Sequence, residues 1–141
     1  MQVKVKRLSE KAVLPSYAKP GDAGMDLMAV TFDVTEKYVE YDTQLAFEIP
    51  EGYVGLLFPR SSVSKLDLIL ANCVGVVDST YRGSVKLRFK HTEEYILCDM
   101  YKSMDRVGQI IIMPYPQIEL LEVDELNDSI RGDGGFGHTG N

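Results

Sequence analysis

The sequence predicts a single all-β domain, a two-sheet sandwich or jelly roll, and three observations carry that prediction. Short stretches rich in Val, Ile, Leu, Tyr and Phe recur between turn signals, helical periodicity is weak, and 141 residues with 45% hydrophobic content suffice for one core but not comfortably for two. Many short strands with frequent turns bury both apolar faces without helices only when two sheets stack or one sheet rolls up.

Taken in order, residues 3–7 alternate Val3 and Val5 with basic residues, as a half-buried strand does. Residues 39–49 and 53–58 are β-branched and aromatic-rich runs separated by a Pro-Glu-Gly turn. Around residues 66–70 at most one short helix is expected. Residues 75–83, Gly-Val-Val-Asp-Ser-Thr-Tyr-Arg-Gly, resemble a β-hairpin whose returning arm is 85–89, with Val85, Leu87 and Phe89 on one face. Residues 109–114 form the last strand, and the continuous apolar run from Ile110 to Met113 predicts burial on both faces. The domain is placed at residues 1–126. Residues 127–141 hold five glycines and almost nothing apolar, so they read as a flexible tail, long enough when extended to reach about 50 Å at about 3.3 Å per residue.

Composition narrows the function. A net charge of −6 without a long Lys/Arg run disfavours a nucleic-acid polymer, whereas one small polyanion needs only a local donor cluster and a cation. The first ten residues lack a signal-peptide core and the near-apolar run at 68–77 is too short to span a bilayer, so a cytoplasmic, membrane-free protein is expected. Cys73 and Cys98 follow no pairing pattern and read as buried reduced thiols, and with only two histidines a protein-built zinc site is disfavoured.

Three segments carry candidate chemistry. Asp78, at the rim of the Gly75–Gly83 segment, could take a proton from water, or could simply cap its turn. Pro59-Arg60-Ser61-Ser62 offers a guanidinium and paired hydroxyls suited to phosphate oxygens, or a solvated loop. Arg131-Gly-Asp-Gly-Gly-Phe136-Gly137-His138-Thr139-Gly140 combines close-approach glycines, a cation and a flat aromatic face, without the strand, helix and lysine of a Walker loop. Two further segments, Ala23-Gly-Met-Asp26-Leu27 and Arg106-Val-Gly-Gln109, could as easily be a bulge and a surface turn.

In this order and spacing the five segments resemble the five motifs of the homotrimeric dUTPase family, over residues 23–140. The resemblance implies a jelly-roll subunit and a trimer with three interfacial active sites. The reaction it implies is Mg²⁺-assisted attack of water on the α-phosphorus of dUTP, giving dUMP and pyrophosphate. Such an enzyme limits uracil incorporation into DNA and supplies dUMP for dTMP synthesis. It matches Asp78 to the general base, Tyr81 to the deoxyribose contact, and Asn72, Gly75, Val76 and Val77 to the segment that reads uracil. Lys86 falls where the family packs a residue near the base. Arg60, Ser61, Ser62 and Gln109 match phosphate contacts. Asp26 and Gln109 match water-mediated contacts to a magnesium held mainly by the phosphates. Arg131, Phe136, Gly137, His138 and Thr139 match a tail closing over a neighbour's site. Ser84, Gly108 and Met104 depart from the family's usual larger polar residue, alanine and turn glycine. The alternatives are a dCTP deaminase-type relative, which would release ammonia, and a nucleotide-binding regulatory module.

Overall fold

The computed structural model describes residues 1–94 and 99–135. Its strands are β1 (Lys4–Arg7), β2 (Met25–Met28), β3 (Thr31–Val34), β4 (Val39–Asp42), β5 (Leu45–Glu48), β6 (Tyr53–Phe58), β7 (Leu68–Leu70), β8 (Gly75–Val77), β9 (Lys86–His91) and β10 (Arg106–Pro114), with one 3-10 turn at Ser61–Lys65. The all-β expectation is met. Two four-stranded antiparallel sheets, ordered β2-β10-β6-β8 and β3-β4-β9-β7, are joined by the two-stranded pair β1-β5.

Inward residues from both large sheets merge into one core, with Leu27, Leu57, Val77, Val107 and Ile110 from one and Val39, Tyr41, Leu68, Leu70, Leu87 and Phe89 from the other. The sheets meet closely at Gly108, where an added Cβ would lie 2.3 Å from Leu87 Cδ2. Tyr41, Phe89 and Tyr101 pack edge to face, with centroids 5.8 to 6.1 Å apart. The buried Tyr41 hydroxyl donates to the Tyr101 carbonyl at 3.0 Å, and burial raises its pKa, so it stays a neutral donor.

Several sequence expectations are corrected. The region around 66–70 is no helix, because Leu68 and Leu70 point inward while Ile69 is exposed, a two-residue period that pairs β7 with β9. The run 39–49 breaks at Thr43 and Gln44, where Gln44 has φ +52 and its N–H is captured by Asp42 Oδ1 at 2.7 Å. Residues 75–89 are not a hairpin, since β8 pairs with β6 and β9 with β4 and β7, in opposite sheets. Residues 78–85 therefore cross the sandwich, which places Asp78 and Tyr81 at its edge. Ile110 is fully buried, but Ile111 and Ile112 are only partly so and Met113 is 44% exposed, so β10 is not buried on both faces. The outer face of its sheet presents Val54, Leu56, Val76, Ile111 and Met113. Cys73 is an exposed free thiol, not a buried one, while Cys98 lies outside the described residues. Among the described residues no regular element follows Pro114, and Ile118, Leu120, Leu121, Val123, Leu126 and Ile130 are all exposed.

Candidate active site

Strand β10 builds the first cluster through an irregularity. Its register against β2 slips between Arg106 and Gly108, so that Arg106 faces Met28 while Gly108 faces Leu27. In a regular strand Arg106 and Gln109 would project from opposite faces. The bulge turns both toward Asp26 on the outer face. Asp26 Oδ1 accepts from Arg60 Nε at 2.9 Å and Oδ2 from Arg106 Nη1 at 3.1 Å. One carboxylate thus holds two guanidiniums together and fixes their direction, which leaves the remaining Arg60 and Arg106 donors to serve an anion. Gln109 Nε2 donates to the Pro59 carbonyl at 3.2 Å, and the absent side chain of Gly24 makes its place, since a Cβ there would sit 2.3 Å from Gln109 Oε1.

Asp26, Arg60 and Gln109 line a cleft of about 240 Å³ with Ala18, Asp22, Gly24 and Ser61, while Arg106 braces Asp26 from beside it. Ser61 opens the 3-10 turn, and the first N–H groups of such a turn have no partner inside it, which adds donors where the guanidinium already points. Ser62 is turned instead toward the core, its hydroxyl 3.5 Å from that of Tyr101. Arg106 was not among the residues singled out from the sequence. It lies in a recognised segment, but regular alternation would have put it on the wrong face.

The second cluster surrounds the crossover. Leu57, Asn72, Gly75, Val76, Val77, Asp78, Tyr81, Ser84, Val85 and Lys86 line a cleft of about 230 Å³. Strand β8 is the last strand of its sheet, so its far edge carries backbone donors and acceptors that no other strand uses. Tyr81 N–H donates to the Asp78 carbonyl at 3.1 Å, and Tyr81 Oη donates to the Ser84 carbonyl at 3.0 Å. Arg82 Nη1 donates to the Ser79 and Tyr81 carbonyls at 2.6 and 2.9 Å, bracing the loop from outside. Asp78 is exposed and also borders a larger concavity of about 980 Å³, lined by Tyr53, Val54, Arg82 and Tyr115 among others. Lys86 reaches the cleft from β9, its ammonium 2.7 Å from Glu40 Oε1.

The structure does not bring the two clusters together. The clefts share no lining residue. Strands β6 and β10 separate β8 from β2, three interstrand spacings or about 14 Å, and the row of Asp26, Gln109 and Phe58 is offset by about 10 Å along the strands from that of Gly55 and Val77. Asp78 lies one residue beyond Val77, so Asp78 and Asp26 of one chain are on opposite edges of a sheet, roughly 19 Å apart on these spacings. Arg131 is joined to neither. Its Nε donates to the Gly134 carbonyl at 2.8 Å in an exposed turn of its own, while Phe136, Gly137, His138 and Thr139 lie outside the described residues.

Among the described residues no group of three or more His, Cys, Asp or Glu side chains could cage a metal, and both Asp26 oxygens are engaged by arginines. That donor set fits a magnesium that arrives on a ligand's phosphates and keeps its waters better than one held by the protein.

Comparison with known proteins gives one consistent family and fold. A family model described as dUTPase matches residues 10–140. The deoxyuridine 5'-triphosphate nucleotidohydrolase of Finegoldia magna is 42% identical over 147 aligned residues, covering 99% of each chain. The dUTPase of Staphylococcus bacteriophage 80alpha, solved with dUPNHPP, superposes with a TM-score of 0.84 at 30% identity, covering 99% of each chain. An aspartate-to-asparagine variant of the dUTPase from phage phi11 of S. aureus, whose structure details the coordination of a structural Mg(II) ion, gives a TM-score of 0.74 at 28% identity over 89% of this chain and 98% of that one.

Proposed function

This chain belongs to the dUTPase family and is a dUTP nucleotidohydrolase, and we propose that it works through active sites completed between copies of the chain. The carrying observation is the division of the clefts. Base-reading and proton-accepting groups sit on one edge of the sheet, phosphate-binding groups on the other, too far apart to grip one triphosphate. A threefold trimer, with Asp78 of one copy facing Arg60, Ser61 and Gln109 of the next, resolves this. The outer face of the β2-β10-β6-β8 sheet offers the apolar surface for assembly, and the exposed apolar residues between Ile118 and Ile130 offer an arm with nothing to cover on its own chain.

In this reading the free edge of β8 and Asn72 pair with the uracil edge, and Tyr81, fixed by Ser84 and Asp78 backbone oxygens, packs against the deoxyribose where a 2'-hydroxyl would collide. The Asp78 carboxylate takes a proton from a water whose oxygen forms a new bond to the α-phosphorus as the bridging oxygen to the β-phosphorus departs with pyrophosphate. General-base assistance of this kind supplies about a hundred- to ten-thousandfold. Charge neutralisation by Arg60 and the hydroxyl and amide donors beside it supplies much of the rest. A magnesium carried on the phosphates would add Lewis-acid neutralisation, with Asp26 and Gln109 reachable through its waters. Residues 127–141, with Arg131, Phe136, Gly137, His138 and Thr139, close over a neighbouring site. The domain proper spans 1–126, and the enzyme acts in the cytoplasm without a nucleic-acid polymer or membrane as partner.

The test is pyrophosphate release from dUTP, dTTP, dCTP and UTP by the intact chain and by Asp78→Ala. Release from dUTP alone, lost on substitution, is the expected result. Ammonia release from dCTP would point to the deaminase-type relative instead.

A further inference from the structure

Lys86 is an unusual neighbour for a pocket that reads an uncharged base. It lines the cleft of about 230 Å³ beside Asn72 and Tyr81 and also an adjoining one of about 450 Å³ lined by Glu40, Ala71 and Arg88. Its ammonium does not point at will. It donates to Glu40 Oε1 at 2.7 Å and lies 3.7 Å from Asp42 Oδ2, both on the outer face of β4, directly across from β9. Glu40 is itself fixed from the other side. Arg88 Nε donates to Glu40 Oε2 at 3.1 Å, Arg88 Nη2 bonds the same oxygen, and its guanidinium lies 4.4 Å from the Tyr38 ring centroid. The Lys86 and Arg88 hydrogen bonds hold the Glu40 carboxyl below its ordinary range, and Glu40 in turn raises Lys86.

We infer that Glu40 is a positioning residue for base selection, holding the Lys86 ammonium on the outer face of the sheet so that the lysine shows the base cleft only its aliphatic stem. The chemistry gives this a direction. An ammonium is a donor without acceptor capacity. N3 of uracil carries a proton and repels such a donor, whereas N3 of cytosine accepts from it. Released into the cleft, Lys86 would improve the fit of a cytosine nucleotide and leave the hydrolytic groups untouched. Clamped by Glu40, it cannot. This inference rests on the reading of the cleft as the base pocket.

The experiment measures kcat and KM for dUTP, and the inhibition constant of dCTP against it, in the full-length chain and in Glu40→Gln, Lys86→Met and the double variant. In Glu40→Gln the dCTP inhibition constant should fall about ten- to a hundredfold, the effect of one added charge-assisted hydrogen bond, while kcat for dUTP stays within about twofold. Lys86→Met and the double variant should both return it to the wild-type value or above. Arg88→Gln, which frees Glu40 on its other side only, should leave it unchanged. A fall that persists without Lys86, a fall reproduced by Arg88→Gln, or no change in Glu40→Gln overturns the inference while leaving dUTP hydrolysis standing. A wild-type chain that releases no pyrophosphate from dUTP sinks the functional reading and this inference together.

Discussion

Replacing Gly108 by alanine tests how the core and the phosphate cleft share one constraint. The new Cβ would lie 2.3 Å from Leu87 Cδ2 and 2.9 Å from the Phe58 carbonyl oxygen, against an ordinary contact distance of about 3.5 to 4 Å. Leu87 is 1% exposed, and Phe58 O belongs to backbone paired with Gln109. Relief must come from shifting β10 away from β9 by about an ångström or from an off-rotamer Leu87, and overpacking of this kind costs about 1 to 3 kcal/mol. For a chain of this length that is a drop in Tm of roughly 3 to 10 °C, read by differential scanning calorimetry at fixed protein concentration because assembly couples to stability. Gly108 also lies between Arg106 and Gln109, so kcat/KM for dUTP should fall as well. Adding Leu87→Val should recover part of the lost stability. A Gly108→Ala chain that melts within about 1 °C of wild type would show that the two sheets are not packed as tightly as described.

Other consequences are independent. Gly24→Ala should push the Gln109 carboxamide out of the phosphate cleft and raise KM for dUTP with little change in Tm, since the clash is with a partly exposed side chain; unchanged kinetics would remove Gln109 from the phosphate contacts. Met104 holds φ +69 with its N–H bonded to the Ala29 carbonyl at 2.7 Å, so Met104→Gly should stabilise by about 1 kcal/mol in chemical denaturation by relieving left-handed strain, and a loss of stability would contradict that. Glu40 is held below its ordinary 4.5 by Lys86 and Arg88, so its contribution is present above that value and lost as pH falls through the lower folded value. Glu40→Gln should therefore flatten the fall in stability below about pH 4.5, and an unchanged slope would mean the ion pairs contribute nothing.

Much of this was legible in the sequence, and the failures have physical causes. Strand identity was readable where two-residue alternation was clear, as in Val85, Leu87 and Phe89 of the stretch that forms Lys86–His91. Short strands whose alternation spans only three residues, Leu68–Leu70 and Gly75–Val77, do not distinguish themselves from a buried turn of helix or the arm of a hairpin. Their partners are set by long-range pairing, which local pattern does not encode. The candidate site residues could be named because family motifs mark them, but the Arg106 contact was invisible because a one-residue bulge decides which face it shares. Glu40 was invisible for another reason: a surface carboxylate gains meaning only from the lysine that the fold lays across from it. Met104 shows the converse, since the missing turn glycine signalled a conformation that the chain nevertheless adopts.

The central claim, that each active site is built from more than one copy of the chain, is tested most directly by mixing two inactive variants. Asp78→Ala and Arg60→Ala chains, each assayed alone for pyrophosphate release, are co-refolded in equal amounts. If Asp78 and Arg60 come from different copies, random assembly leaves about a quarter of the sites with both residues intact, and the mixture should recover about a quarter of wild-type activity. If both residues of a site come from the same chain, no combination restores it, and a mixture no more active than its two components would contradict the account.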